Sequence, residues 1–244
     1  DSRERIAGAL GVHEREIIFT SGATEANNLV FRGVGEKKGK HIITTQIEHP
    51  SVLEVCSFLE QEGWSITRLP VNETGGVHPV DVQKAVTGQT VLVSVMWANN
   101  EVGTIQPVDI LGKNREYLLH SDAAQALGKI PLNLKEVDYL TLSGHKLHGP
   151  KGVGALYFRK GVPLHPLILG GGQEFEKRGG TENVALIAGF AKAVSLAVEE
   201  LSDNRKKMEE VRQSLFAMIK TIPESDILGS ETKVDELIFE EKAY

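Results

Sequence analysis

The sequence predicts an α/β protein, a mostly parallel seven-stranded sheet flanked by helices. Seven strand-like runs, near 16–20, 41–45, 66–71, 90–97, 117–121, 138–142 and 153–158, alternate with helix-like runs near 24–32, 50–62, 80–87 and 107–116. The residues able to carry chemistry fall where those strands give out. Open α/β sheets bind ligands at the carboxyl ends of their strands.

The first strand-like run, Glu16-Ile17-Ile18-Phe19-Thr20, leads into Ser21-Gly22-Ala23-Thr24-Glu25 and a helix-like stretch to Arg32. Strand, small-residue turn and helix is the order a phosphate cradle needs. Backbone N–H groups at a helix start are unpaired, the helix dipole adds positive charge, and small residues let an anion approach. An ordinary N-cap by Thr24 is the alternative. After His41-Ile42-Ile43-Thr44-Thr45 comes Glu48-His49-Pro50-Ser51. An imidazole there can stack on a flat ring and carry protons, although with eight histidines in the chain only its company singles out His49.

The run Thr90 to Trp97 ends at Asn99-Asn100-Glu101-Val102-Gly103, whose amides can bind a ring oxygen and a substrate carboxylate. A β-turn with Asn and Gly competes with that reading, and it explains Gly103 better than Asn100. Tyr117-Leu118-Leu119-His120 is followed by Asp122-Ala123-Ala124-Gln125. Asp122 is placed either to pair with a protonated pyridine nitrogen or simply to cap a helix, and Gln125 can reach the neighbouring ring oxygen. Finally Val137 to Leu142 gives way to Ser143-Gly144-His145-Lys146 and the turn Gly149-Pro150-Lys151-Gly152. A lysine at a strand end, beside a hydroxyl and an imidazole, can form a Schiff base with an aldehyde cofactor such as pyridoxal 5′-phosphate (PLP). A helical region from about 182 to 222 closes the pattern, with an exposed charged face at Glu199, Glu200, Arg205, Lys206, Lys207, Glu209 and Glu210.

Taken in order, F-T-S-G-A-T-E, I-E-H-P-S-V, N-N-E-V-G, H-S-D-A-A-Q, S-G-H-K-L-H-G-P-K-G-V-G-A-L-Y and G-G-G-Q-E…R-G-G-T-E-N-V resemble the NifS/IscS-type cysteine desulfurases, fold-type I PLP enzymes close to the selenocysteine lyases. The resemblance spans nearly the whole chain. It implies that Lys146 holds PLP as a Schiff base and that Ala23, Thr24, Ser143 and His145 bind its phosphate. It further implies that Asp122 pairs with the pyridine nitrogen, Gln125 with the phenolic oxygen, and that His49 stacks on the ring and shuttles protons. Asn100 would lie by the phenolic oxygen and the substrate carboxylate, while Thr181 would reach the phosphate of a neighbouring subunit, which implies a homodimer. The implied reaction converts L-cysteine to L-alanine, with sulfur passed to an enzyme cysteine as persulfide and on to an acceptor or iron-sulfur scaffold protein. A selenocysteine lyase or cysteine β-lyase is the alternative within the superfamily, and a catalytically silent PLP-binding or dimerisation module is the alternative outside it.

The same resemblance implies further segments ahead of Asp1 and beyond Tyr244, the latter a smaller domain with the catalytic cysteine loop and a substrate-binding arginine. Residues 1–222 are then expected to be the cofactor-binding domain and 223–244 the start of the small domain or a tail, the small domain being largely absent. The chain departs from the family at Phe175-Glu176-Lys177, where an arginine usually follows the glutamate, and in the acidic tail from Glu231. Its single cysteine, Cys56, sits in an amphipathic helical pattern and is expected to be a buried apolar residue. Composition excludes little else. With 41% hydrophobic and 25% charged residues and a net charge of −6, the chain has no nucleic-acid footprint. No apolar run approaches the roughly 20 residues of a membrane span, the opening residues do not read as a signal peptide, and one cysteine excludes an internal disulfide framework. A cytoplasmic protein without a metal site is expected.

Overall fold

The computed structural model describes residues 1–35, 39–113 and 115–229. Seven strands form one sheet: β1 (Ile17–Thr20), β2 (His41–Thr45), β3 (Ser65–Leu69), β4 (Thr90–Ser94), β5 (Leu118–Asp122), β6 (Tyr139–Ser143) and β7 (Gly154–Phe158). Their order is β1-β7-β6-β5-β4-β2-β3. β7 pairs antiparallel with both β1 and β6, and the remaining pairs are parallel. The carboxyl ends of six strands therefore share one edge, and β7 starts there.

Eight helical segments accompany the sheet among the described residues: α1 (Ser2–Leu10), α2 (Ala23–Gly33), α3 (Pro50–Gln61), α4 (Pro79–Ala85), the one-turn α5 (Val108–Leu111), the left-handed turn α6 (Gln173–Glu176), α7 (Val184–Glu199) and α8 (Leu201–Ile219). The strands alternate their side chains between two apolar layers. Ile17, Ile43, Val93, Leu140 and Tyr157 join one cluster with Phe190 and Val194 of α7. Ile18, Ile42, Leu92, Tyr139 and Leu156 join the other with Val30 of α2 and Val55 of α3. Helices α3 and α7 each bury residues at spacings of three and four, Val52, Val55, Cys56 and Leu59 in one and Ile187, Phe190, Ala191 and Val194 in the other. Cys56 lies in that core at 0% exposure, as its pattern predicts.

The sequence reading needs adjustment in four places. Helix α1 was not foreseen, because it buries only Ile6 and Ala7 and so shows little apolar periodicity. The helix expected over 107–116 shrinks to one turn. It stops at Gly112, which approaches the 136 segment so closely that a Cβ would lie 2.2 Å from Glu136 Cβ. The strand expected to run to Trp97 is paired with β2 only to Val93 and with β5 to Ser94; beyond it Val95 and Trp97 still donate to the His120 and Asp122 carbonyls of β5. The helical region expected from about 182 to 222 divides into two helices, α7 and α8, meeting at Glu200. The acidic tail lies outside the described residues.

Candidate active site

At the shared strand edge lies a cavity of about 630 Å³, lined by Ala23, Thr24, His49, Asn100, Asp122, Gln125, Ser143, His145 and Lys146. Nine of the ten residues singled out by sequence thus meet in one place. Thr181 is exposed and does not line this cavity.

At one end the cavity is built for an anion. The N-cap of α2 is Gly22, at φ 153°, and no side chain caps the helix. Thr24 is therefore not the cap, and the first-turn N–H groups are left to a ligand. The turn is tight because β7 starts against it: a Cβ on Gly154 would lie 2.5 Å from the Leu142 oxygen and 2.8 Å from Gly22 Cα. Arg178 pairs with Glu25 at 3.0 Å, and Glu25 Oε2 in turn accepts the Ser21 N–H at 2.8 Å, which ties the glycine-rich segment before Thr181 to the same turn. Ser143, 2% exposed, ends β6 with its Oγ 3.1 Å from His145 Nδ1. Lys146 follows on a single 3-10 turn, Gly144–Leu147.

At the other end stands Asp122, the last residue of β5 and 5% exposed. Its two oxygens have different partners. Oδ1 accepts the Ala124 N–H at 2.9 Å and caps the turn, while Oδ2 accepts from Asn27 Nδ2 at 2.8 Å. Burial pushes the carboxyl above the usual carboxylate range, and the bonds from Asn27 and Ala124 together with nearby His49 and Lys146 oppose that rise. Gln125 is oriented by Lys129, whose Nζ donates to its Oε1 at 2.6 Å, so the amide nitrogen remains for the cavity. Of the two asparagines after β4, Asn99 is consumed locally. Its Oδ1 accepts from the Glu101 and Val102 N–H groups and its Nδ2 donates to the Ile47 carbonyl. That leaves Asn100 to face the cavity.

These residues fit PLP. An uncapped helix start suits a phosphate, the Lys146 amine suits an aldehyde, and a buried carboxylate suits a protonated pyridine nitrogen. Four further residues shape the site and were missed in the sequence: Asn27, Ser51, Glu48 and Lys129. Asn27 had one detectable cue, a polar side chain on the buried face of α2 beside Ala26, Leu29 and Val30. Glu48 Oε1 accepts from Thr45 Oγ1 at 2.9 Å and from the Met96 N–H at 2.8 Å, joining the end of β2 to the segment after β4. Among the described residues no cluster of His, Cys, Asp and Glu is arranged to hold a metal ion, and no helix is long and apolar enough to cross a membrane.

The aminotransferase class-V family model matches residues 1–238. Relatives in this family and the cysteine desulfurases are PLP-dependent. The chain is 52% identical over 220 residues to cysteine desulfurase IscS of Dictyoglomus turgidum, covering 87% of this chain and 56% of that protein. It is 44% identical over 240 residues to cysteine desulfurase IscS of Methanosarcina thermophila, covering 95% and 59%. Among solved structures, a NifS-like protein superposes with a TM-score of 0.90 at 48% identity, covering 95% of this chain and 66% of the other. SspA in complex with cysteine superposes with a TM-score of 0.78 at 39% identity, covering 87% and 64%. The chain thus spans a little over half the length of these curated relatives.

Proposed function

Since the chain belongs to the aminotransferase class-V family, we propose that it is the cofactor-binding domain, residues 1–222, of a cysteine desulfurase, with 223–244 leading into a smaller domain or a tail. One observation carries the proposal: Lys146, Asp122 and the uncapped start of α2 converge on a single cavity of cofactor size. The names of the relatives, and the cysteine complex among the solved structures, support L-cysteine as substrate. When bound, PLP supplies an aldehyde for the amine of an amino acid and an electron-poor ring that accepts the electrons released at its carbons.

The chain's own residues supply the rest. With PLP bound, Ala23, Thr24, Ser143 and His145 would hold the phosphate, Asp122 would keep the pyridine nitrogen protonated, Gln125 and Asn100 would bind the ring oxygen, and His49 would stack on the ring. Lys146 would tether the cofactor through its amine, and it places that amine in the cavity as a base. The sulfur of cysteine passes to an enzyme thiolate as persulfide and alanine leaves. Cys56 is not that thiolate, because it is 0% exposed and burial pushes its thiol up to about 12. The nucleophile is placed on a part of the protein outside this sequence. An exposed Thr181, away from its own cavity, supports a homodimer in which it serves the partner's phosphate. The setting is proposed to be cytoplasmic, with an iron-sulfur scaffold or other sulfur acceptor downstream.

The test uses the full-length protein. Cysteine should yield alanine and transferred sulfur in equal amounts, and Lys146→Ala should lose both the borohydride-reducible PLP bond and, on the order of a thousandfold or more, the turnover. Cys56→Ser should leave turnover unchanged. Pyruvate and ammonia in place of alanine, or a covalent PLP adduct retained on another lysine, would sink the assignment.

A further inference from the structure

Helix α3 opens at Pro50 with His49 as its N-cap, and His49 Nδ1 accepts the Ser51 backbone N–H at 3.1 Å. A backbone N–H can only donate, so Nδ1 must present its lone pair. The same nitrogen lies 2.8 Å from Ser51 Oγ. That hydroxyl is itself the acceptor of a 2.8 Å bond from Asn27 Nδ2, which leaves its one hydrogen for Nδ1. Asn27 is 0% exposed, and its other amide hydrogen goes to Asp122 Oδ2 at 2.8 Å, a contact in which the amide nitrogen can only donate. Donor direction is therefore fixed along the whole chain of contacts, from the amide of Asn27 to the imidazole.

We infer that the cap of α3 holds neutral His49 as its Nε2–H tautomer, so that the imidazole meets the cofactor cavity as a proton donor, with Ser51 and Asn27 as positioning residues that tie this tautomer to Asp122. In neutral imidazole one nitrogen donates and the other accepts. With the proton on Nδ1, two N–H groups would point at each other 3.1 Å apart and the Ser51 hydroxyl would lose its acceptor. Nε2 is the nitrogen left for the cavity that His49 lines. His49 consequently begins any cycle able to give a proton at Nε2 and unable to take one there, which assigns the first proton abstraction to another group. That consequence rests on the reading of the chain as a PLP enzyme; the tautomer does not.

Long-range proton–nitrogen NMR of ¹⁵N-histidine-labelled full-length protein tests this, with and without PLP, at about pH 8.5, above the ordinary imidazole range. Nδ1 of His49 should carry the shift of an unprotonated acceptor and Nε2 that of a protonated nitrogen. Two accepted hydrogen bonds imply an excess of this form of about tenfold or more. Ser51→Ala keeps the backbone donor, so the same tautomer should persist at a smaller excess. Ser51→Pro removes both donors in the first turn, where the helix itself needs no N–H, and it should bring the two forms towards parity. An Nδ1–H form or an even mixture in the wild type overturns the inference, as does a Ser51→Pro protein that folds and keeps the full excess. If that variant does not fold, the wild type and Ser51→Ala decide. Loss of cysteine turnover beside an intact Nε2–H signal would count against the proposed activity alone.

Discussion

At the rim of the cavity Asp122, Gln125, Ser143 and His49 are each held by a second polar group, whereas α8 lays out 19 residues and buries none of them. The rim spends short turns and buried partners on a few exact placements. Along α8, Met208, Val211, Leu215 and Met218 recur at spacings of three and four and stand 42–69% exposed. The same chain therefore contains one surface whose side chains are fixed from within and one whose apolar stripe stays largely open among the described residues. A site can be complete in its local geometry while an adjoining helix carries no burial of its own, and the two respond to perturbation in opposite ways.

The sharpest contrast is in the ionisation of groups beneath the rim. Glu48 is fully buried, its Oε2 has no partner among the described residues, and burial pushes its carboxyl up to about 8 from 4.5. The native state thus binds this proton more tightly than the unfolded chain does. The stability that follows is complete below about pH 4.5 and is lost as pH rises through about 8. His120, wedged between Ser94 at 2.8 Å and Thr141 at 3.0 Å, has the opposite sign. Burial pushes it down to about 3 from 6.5, so its contribution is present above pH 6.5 and lost as pH falls through about 3. Chemical denaturation across this range should show weakening on both limbs. Glu48→Gln should flatten the alkaline limb by on the order of a few kcal/mol. An alkaline limb unchanged in that variant would place Glu48 with the solvent-exposed charges of α8 rather than with the rim.

A smaller effect belongs to Asp122. Asp122→Asn keeps the side-chain shape and removes the charge, although only one of the two donors, Asn27 and Ala124, can keep its acceptor. PLP retention on dialysis should then fall about 10- to 100-fold, matching roughly 1.5–3 kcal/mol for a hydrogen bond to a charged group. Unchanged retention would reduce Asp122 to a turn cap and remove the best-defended member of the rim.

Much of this contrast was open to a reader of the sequence. The rim residues sit within a few positions of strand ends, where short turns and small residues carry the information, and Cys56 was placed by its helical spacing alone. Asn27 meets Ser51 and Asp122 across separations of 24 and 95 residues, so its place on the buried face of α2 marked it as unusual but named neither partner. Where the resemblance implies an arginine after Glu174 this chain has Phe175, and the backbone is left-handed at Glu174, Phe175 and Glu176, with φ of 48°, 56° and 62°. Three consecutive non-glycine residues in that region are held by tertiary contacts. Glu174, 5% exposed, makes a bidentate pair with Arg3 at 2.7 and 2.8 Å and accepts the Phe19 N–H at 2.9 Å. Arg3 belongs to α1, the helix whose weak periodicity hid it. On α8 the charged residues were legible and the apolar stripe between them was not, because its value depends on a surface that spacing does not name.

The smallest expected effect is therefore the one that separates the two regions most cleanly. Val211 and Leu215 are 69% and 49% exposed. Replacing them as Val211→Lys and Leu215→Glu removes apolar area that the fold of this chain does not bury, and substitutions of that kind usually change stability by no more than about 0.5 kcal/mol. The unfolding free energy of the 244-residue chain should stay within that margin. Its self-association at high concentration should fall, because contiguous exposed apolar patches promote association. Sedimentation and denaturant titration on the same sample read both quantities. A loss of more than about 1 kcal/mol would mean that the stripe is covered in the isolated chain, and the distinction between a rim fixed from within and a helix left open would fail. Unchanged stability with reduced self-association would locate the work of α8 outside the fold of this domain.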